Sequence, residues 1–563
     1  MSNCDVQITS NYGWTCFDQK WGSVWIKGYV FGCKQLQDFA DTLVELIENA
    51  NEEDLKQYLS DIDGHFSVVI KTPEILFASV DRIRSIPLFF TSHSEHIIVT
   101  DQPAKIGHKL SNSETSPGLD NRLMLQMSGY CSGNATLLDG VKQLQSGEYL
   151  KFKKGKKLKV CSYYNYLPSN PDSAIGKDKL KQDLEVISIH ILQKIIDSAQ
   201  GRMIVVPLSG GYDSRLVASG FAYLGYKNVK CFSYGQNNNF ESSISRKVSE
   251  KLGYDWKFIK LTHDIVNKDY HSELHKDYFS FSNTFASVPV EHEFTAVRLL
   301  KESGWIPDDA IFVNGMSGDF LTGSHLPEIL LGDRGGLSIT ERKEQILKSI
   351  LDKHYSLWRY LETFDNLNLV ADNLWKEILK QTGGLAEKNS NDDFGLYEFS
   401  EFKNRQTKYV ITVQRVYEFF GYEWRLPLWD KEYLDYWEII EAKHKVERNL
   451  FVEVMHELDW GGVWSLKHPS PYIVPKWISI VRLIVKGLFA FIGRDKWKIF
   501  DKTVFYYWTE ILCKMGVVSY SKVIIDNRGY RNAVSWMAED YLNRLHKEDN
   551  VKKSKAIKQD KSY

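Results

Sequence analysis

The sequence predicts an α/β chain in two unequal parts. Residues 1–168 form a β-rich unit, and residues 178–545 form a doubly wound parallel sheet with a mainly helical C-terminal part. A charged tail at 546–563 closes the chain. Three observations carry this. Short apolar runs separated by turn signals fill the first part. From Asp178 to Leu261, helical and strand-like runs alternate, the pattern of a parallel sheet with crossover helices. Between the two lies Ser169 to Lys177, with Asn170, Pro171, Asp172 and Gly176, the composition of a linker.

In the first part Val68–Ile70, Ile75–Ser79, Pro87–Phe90 and Ile97–Val99 read as strands. Tyr149–Phe152 and Leu158–Tyr164 flank a Lys-Lys-Gly-Lys-Lys turn and read as a hairpin. In the second part Leu180, Leu184, Ile187, Ile191 and Ile195 recur at helical spacing. Met203–Leu208, Val229–Tyr234 and Trp256–Leu261 are then expected as buried strands, with helices at Ser214–Leu224 and Ser242–Leu252 between them. Ala310–Val313 is one further strand-like run in an otherwise helical remainder, and the Lys-rich end is expected to fray.

Bulk properties narrow the function classes. The 563 residues are 43% hydrophobic and 13% aromatic, which suits large packed interiors. A formal net charge of −1 leaves no electrostatic footprint for nucleic acid, so small molecules are the expected partners. Cysteines at 4, 16, 33, 131, 161, 231 and 513 form no CxxC pair, so neither a zinc site nor a dithiol is signalled. Reduced thiols in a cytoplasmic protein are expected, and the N-terminal residues do not read as a secretory signal. The longest apolar run, Ile478 to Ile492, is interrupted by Arg482 and Lys486; it is expected as a buried or amphipathic helix, with an interfacial membrane helix as the competing reading, and membrane contact is not expected.

The sharpest feature is Ser209-Gly210-Gly211-Tyr212-Asp213-Ser214-Arg215, between a predicted strand and helix. Glycines let backbone N–H groups turn inward, and the helix start adds donors, which suits a pyrophosphate. Asp213 would repel that anion unless a divalent cation joins them, so Mg²⁺ is expected there. The pattern GxxxxGK[ST] is absent.

SGGYDSR resembles the pyrophosphate loop of the asparagine synthetase and β-lactam synthetase family. Phe232-Ser233-Tyr234-Gly235 with Glu241, Asn314-Gly315-Met316-Ser317-Gly318-Asp319, and Gly421 to Asp430 are similar to further segments of that family, in order. Asp81-Arg82-Ile83-Arg84-Ser85-Ile86-Pro87-Leu88-Phe89-Phe90 and Thr136 to Glu148 are similar to its N-terminal domain and the segment after it. The resemblance implies an N-terminal Ntn-hydrolase-like (αββα), glutamine-amidotransferase-like domain. A PP-loop ATP-pyrophosphatase domain would follow. It implies an ATP-dependent ligase that activates a carboxylate as an acyl-adenylate, releasing pyrophosphate, for attack by ammonia or an amine. Ser209, Gly210, Gly211 and Ser214 would hold the phosphates. Asp213 and Asp319 would bind Mg²⁺, and Phe232, Ser233, Asn314 and Gly315 would frame adenine and ribose. Glu423 and Arg425 are read equally as a buried ion pair or as substrate contacts.

Departures from the family pattern set limits. The family's glutaminase begins with cysteine after the initiator Met; here Ser2 follows Met1 and Cys4 is internal. Lys27-Gly28-Tyr29-Val30-Phe31-Gly32 keeps the glycine of a glutamine-gripping run without its asparagines or acid, so glutamine hydrolysis is not expected. Met316 replaces a glutamate, which puts aspartate as substrate in question. Arg215 is a candidate catalytic cation near the phosphates or the substrate carboxylate. A catalytic lysine is expected after the Gly421–Asp430 segment, with Lys467 first and Lys476 next. The identity of the acid, a separate glutaminase partner and a homodimer are left open. A catalytically inactive nucleotide-binding regulatory or scaffold protein is the competing reading. Transfer of sulfur or nitrogen to tRNA is a weaker one, because basic surface and cysteine pairs are lacking.

Overall fold

A computed structural model describes residues 3–33, 35–93, 96–106, 118–169, 171–172, 174–237, 239–332, 334–384, 393–466, 476–489, 491, 493–509 and 514–560. Ten strands build the first part: β1 (Asn3–Gln7), β2 (Thr15–Gln19), β3 (Gly22–Val30), β4 (Gly64–Lys71), β5 (Ile75–Val80), β6 (Phe89–His93), β7 (His96–Thr100), β8 (Val141–Gln143), β9 (Glu148–Lys153) and β10 (Lys159–Ser162). One sheet has the order β10-β9-β5-β4-β3-β2 and the other β1-β7-β6-β8. Only β1 against β7 is parallel; the other pairs are antiparallel.

Strand alternation decides the layering. In β4 the side chains of Phe66, Val68 and Ile70 face one way, against helices α1 (Leu36–Asn49) and α2 (Glu52–Asp61). Val69 faces the other way, and with Leu76, Ala78 and Val80 of β5 it packs on Phe90, Ile97 and Val99 of the smaller sheet. Helix α3 (Gly118–Ser128) adds Leu125 to a cluster with Phe89 and Val141. The unit is therefore helix, sheet, sheet, helix. The expected hairpin is β9–β10, paired antiparallel. Strands β1 to β3 fall outside the runs expected from the sequence. The Thr15–Gln19 edge, largely exposed, has almost no apolar pattern to read.

The second part opens with α4 (Lys177–Ala199), then β11 (Ile204–Pro207), α5 (Tyr212–Tyr223), β12 (Val229–Gly235), α6 (Phe240–Leu252) and β13 (Asp255–Lys260). These follow the predicted alternation. β14 (Ile311–Val313) and β15 (Glu423–Arg425) complete a parallel sheet of order β13-β12-β11-β14-β15. β15 was not expected, because Glu423 and Arg425 leave Trp424 as its one apolar residue, whereas the equally short β14 is apolar throughout. The order reverses between β11 and β14, and a crevice at the C-terminal ends of such strands is where open α/β sheets bind ligands. The chain is thus α/β with one antiparallel, one mixed and one parallel sheet.

Buried charges join the two parts. Lys27 of β3 meets Glu418 at 2.9 Å, both nearly inaccessible, and Glu418 also accepts from Arg415 and the Trp424 indole. Lys194 of α4 reaches Asp63, Asp430 and Glu432. The Lys-rich end, expected to fray, instead belongs to the helix Ala533–Asp560. Among the described residues, no helix is long and apolar enough to cross a membrane.

Candidate active site

The loops after β11 and β14 meet at the sheet's switch point. The first leaves Pro207 and enters α5 at Gly211. Its hydroxyls are turned partly on the loop itself. Ser209 Oγ accepts from the Gly211 N–H at 3.0 Å and lies 3.0 Å from Ser214 Oγ, which accepts from the Ser209 N–H. Asp213 stands in the first turn of α5.

The second loop is brought onto the first by glycines. A Cβ at Gly315 would lie 2.7 Å from the Asp213 carbonyl carbon, and one at Gly318 would lie 2.6 Å from Asp213 Oδ1. A side chain at Gly315 would push against the backbone of the first loop, and one at Gly318 would displace the Asp213 carboxylate and Leu428. Ser317, in the left-handed region at φ 65°, turns the chain into the short helix Gly318–Leu321 and donates to Gln406 Oε1 at 3.0 Å. Asp319 thereby reaches the first loop: its N–H donates to Asp213 Oδ2 at 3.1 Å.

The two acids have different surroundings. Burial pushes the Asp213 carboxyl up to about 6, opposed by the guanidinium of Arg448, which bonds to Oδ1, and reinforced by Asp319. Burial also raises Asp319, but His325 and Arg448 outweigh it and hold that group below the usual carboxylate range. His325 lies 3.3 Å from Asp319 and 2.6 Å from the fully buried Glu401, which also meets His354 at 3.1 Å. Burial disfavours the imidazolium; Glu401 and Asp319 nevertheless raise the His325 pKa to about 9, so it is charged at neutral pH.

Arg448 was not anticipated from the sequence. It sits in a left-handed conformation (φ 65°), next to Glu447 (φ 55°), and Nε donates to Thr322 Oγ1 at 2.8 Å. Two adjacent non-glycine residues in that region cost conformational energy, a pattern concentrated at functional sites. Only tertiary packing carries it to Asp213, so the sequence held no signal beyond its basic charge.

Beside Asp213 lies a cavity of about 210 Å³, lined by Ser209, Ser214, Phe232, Ser233, Asn314 and Gly315, with Met316, Tyr234, Glu241 and Glu293 among its other walls. The Ser233 hydroxyl is buried with no hydrogen-bond partner, a polar group available to a ligand. Asn314 Nδ2 donates to Tyr417 Oη at 2.9 Å, and Tyr417 donates to Glu293 at 2.5 Å. Burial pushes Glu293 up to about 7, against the pull of the Tyr417 and Tyr234 hydroxyls.

Other candidates stand elsewhere. Arg215 is buried and is not among the residues lining the cavity. It donates to the carbonyls of Gly210, Val463 and Leu466, with its guanidinium near the stacked rings of Tyr212 and Trp464. Its position braces the back of the loop. Lys467 lies outside the described residues; Lys476 opens the helix Lys476–Leu488. Glu423 pairs with Arg202 and Arg425, and Arg425 lies 4.2 Å from the Tyr29 ring centre, at the contact between the two parts.

In the first part, Ser2 lies outside the described residues. Cys4 packs in β1 against the core between the sheets, and burial pushes its thiol up, offset in part by Lys71. That is the opposite of thiolate activation. Lys27, within the run similar to the glutamine-gripping segment, is engaged by Glu418.

For a cation, the candidate donors at the switch point are the carboxylates of Asp213 and of Asp319, whose N–H bonds to Asp213 and whose own carboxylate faces His325. Hard oxygen donors of this kind suit Mg²⁺, which commonly takes one or two carboxylates and completes its shell with phosphate and water. Among the described residues, Asp63, Asp430 and Glu432 are the one group of three or more potential ligands close enough to share an ion, and the Lys194 ammonium already stands among all three.

No protein-family model matches the chain, and no curated protein matches it. Two solved structures are similar in part. One is glutamine phosphoribosylpyrophosphate amidotransferase from B. subtilis complexed with ADP and GMP; the other is described as the allosteric regulatory enzyme of purine biosynthesis. Each is 13% identical at a TM-score of 0.17, covering 61% of this chain and 62% and 60% of theirs. This chain thus spans about three fifths of their length. At that TM-score the likeness carries no argument.

Proposed function

We propose that the chain is an ATP-dependent ligase of the asparagine synthetase type, joining a carboxylate to ammonia or an amine through an acyl-adenylate. One observation supports the reading above others. Asp213, at the wall of a cavity lined by the residues expected to frame a nucleotide, accepts the Asp319 N–H from the loop of the neighbouring strand. The N-terminal part is then an amidotransferase-like domain without its nucleophile, and the nitrogen comes from free ammonia, the substrate amine or another protein.

In this reading Asp213 and Asp319 hold Mg²⁺. The ion, when bound, neutralises charge on the departing pyrophosphate. Backbone N–H groups of Gly210 and Gly211 and the hydroxyls of Ser209 and Ser214 turn outward to the β- and γ-phosphates. Phe232, Ser233, Asn314 and Gly315 frame adenine and ribose. Arg448 now neutralises Asp213; with a triphosphate present, its guanidinium has a second anion to engage and takes the role expected of a lysine. Attack of the substrate carboxylate on the α-phosphorus expels pyrophosphate, and attack of the amine on the acyl carbon then expels AMP. Met316 at the cavity wall offers no charge to a substrate amine, which favours acids other than aspartate.

The test is carboxylate-dependent exchange of labelled pyrophosphate into ATP, screened over a panel of amino, uronic and aryl acids. Exchange with at least one acid is expected, and Arg448→Ala should slow it about 10²- to 10³-fold, with partial recovery in Arg448→Lys. ATP binding without exchange for any acid would favour the scaffold reading, which the missing glutaminase nucleophile and Met316 also suit.

A pH dependence follows from Asp213. Its raised pKa of about 6 means the carboxylate is lost as pH falls through that value. Affinity for Mg²⁺ with ATP, measured by calorimetry, is expected to be level from pH 7 to 8. It should weaken by roughly tenfold per pH unit well below pH 6.

A further inference from the structure

The helix Lys476–Leu488 is built the wrong way round for a core element. Its inward residues close on the following helix, Arg494–Val504, in a small cluster of Ile478, Trp497 and Phe505 with Val485, Phe489 and Phe500 beside them. Arg482 locks the two helices by a two-pronged pair with Asp501, at 2.5 and 2.8 Å. The hairpin is therefore satisfied internally. Its outer face is nonetheless apolar: Trp477, Ile480, Val481, Ile484 and Leu488 fall at helical spacing, and Phe491 continues the stripe. Exposure along it runs from 41% at Val481 to 95% at Phe491. A contiguous exposed apolar stripe on a hairpin that already has a core marks a contact surface.

Charge identifies the occupant. Between 476 and 504 the hairpin carries seven basic residues against two acids, in a chain whose overall net charge is −1; Lys486, Arg494 and Lys496 are exposed on it, and Lys498 pairs with Asp495 at 3.2 Å. We propose that this hairpin docks on an anionic phospholipid surface, its apolar stripe lying in the plane of the headgroup–acyl boundary. An exposed apolar helix face with a tryptophan at one end, in a net-basic hairpin, has the composition that partitions there. A second copy presenting the same face would bring two net-basic hairpins together, which opposes self-association through it. The helix is too short to cross a bilayer, so the contact is peripheral. The competing reading of Ile478 to Ile492 as an interfacial helix is taken up on this ground, independently of the ligase reading.

The test is sedimentation of the full-length protein with large unilamellar vesicles, of phosphatidylcholine alone or with about a third phosphatidylglycerol. Binding to the anionic vesicles is expected, weaker in high salt and at least tenfold weaker on neutral ones. The double variant Ile480→Glu/Ile484→Glu alters two exposed positions and should keep the circular dichroism of the parent while losing at least tenfold in vesicle binding. Lys486→Glu/Lys498→Glu should lose binding to anionic vesicles and the salt dependence with it. No binding to anionic vesicles, or binding untouched by the Ile480/Ile484 variant, overturns the proposal. So does a lipid-free dimer that this variant dissociates, since the stripe would then be a contact between copies.

Discussion

Asp213→Ala is expected to abolish carboxylate-dependent pyrophosphate exchange, by about 10³-fold or more, while leaving the protein folded. The size follows from what the residue holds together. It is the proposed cation ligand, the acceptor for the Asp319 N–H and the partner of Arg448, so one truncation unties both loops and leaves the guanidinium without its acid. Electrostatic groups aimed at developing charge commonly contribute several kcal/mol each, and here two act through one carboxylate. Folding suffers little because Asp213 is a costly group to ionise where it sits. Its pKa in the folded chain, about 6, lies above the ordinary 3.8. The stability it contributes is therefore full only below pH 3.8 and is lost as pH rises through 6, so at neutral pH the ionised group opposes folding. Measured side by side, exchange should vanish and Tm should shift by only a few degrees. A variant retaining most of the exchange would remove the proposed cation site.

Lys445→Met is expected to show the opposite balance: a large loss of stability, on the order of 3 kcal/mol, from one surface-like residue. Lys445 is wholly buried. Its ammonium bonds to Glu398 and lies 3.2 Å from Tyr166 Oη and 3.5 Å from the Trp437 carbonyl. Removing one member of a buried pair leaves the other charge unpaired, at a cost of about 3–5 kcal/mol. The cost should depend on pH in a definite direction. Burial already pushes Glu398 up to about 7, with Lys445 as the main opposing influence, so without the lysine the acid titrates higher still. An acid with a raised folded pKa is stabilising when protonated and loses that contribution as pH rises through its pKa. The deficit of Lys445→Met relative to the parent should accordingly be smaller at pH 6 than at pH 9. Chemical denaturation at the two values measures it, and an equal deficit at both would mean Glu398 is not the group left exposed to the change.

These two residues mark the division between what could be read and what could not. Asp213 stood out in the sequence: a serine, two glycines, an acid and a serine at a strand-to-helix junction are the pattern expected of a loop that takes an anion, with the acid as ligand to its counter-ion. Gly315 and Gly318 were equally legible as a second glycine-rich loop, although the reason for each glycine, an Asp213 atom within 2.7 Å of its missing Cβ, required coordinates. The sequence places Arg215 near the phosphates or the substrate carboxylate; in the fold it braces the loop from behind, because Val463, Leu466 and Gly210 offer it carbonyls. Arg448 and His325 gave no sequence signal, and both stand next to the paired acids.

The order of elements was local information. Period-two and period-3.6 patterns, linker composition and turn residues are written in short windows. The alternation from α4 to β13 and the placement of the Ser209–Ser214 loop could therefore be determined by reading along the chain. Strand order, the switch point between β11 and β14, and the three-residue β15 depend on pairings between distant segments, which no window contains. The same holds for charge. A lysine, an arginine or an acid looks alike in sequence whether it ends in water or in a core, because its cost is set by what packs around it. Only the tertiary structure decided that Lys445 is buried, that Arg448 meets Asp213, and that the apolar face of Lys476–Leu488 is left outside.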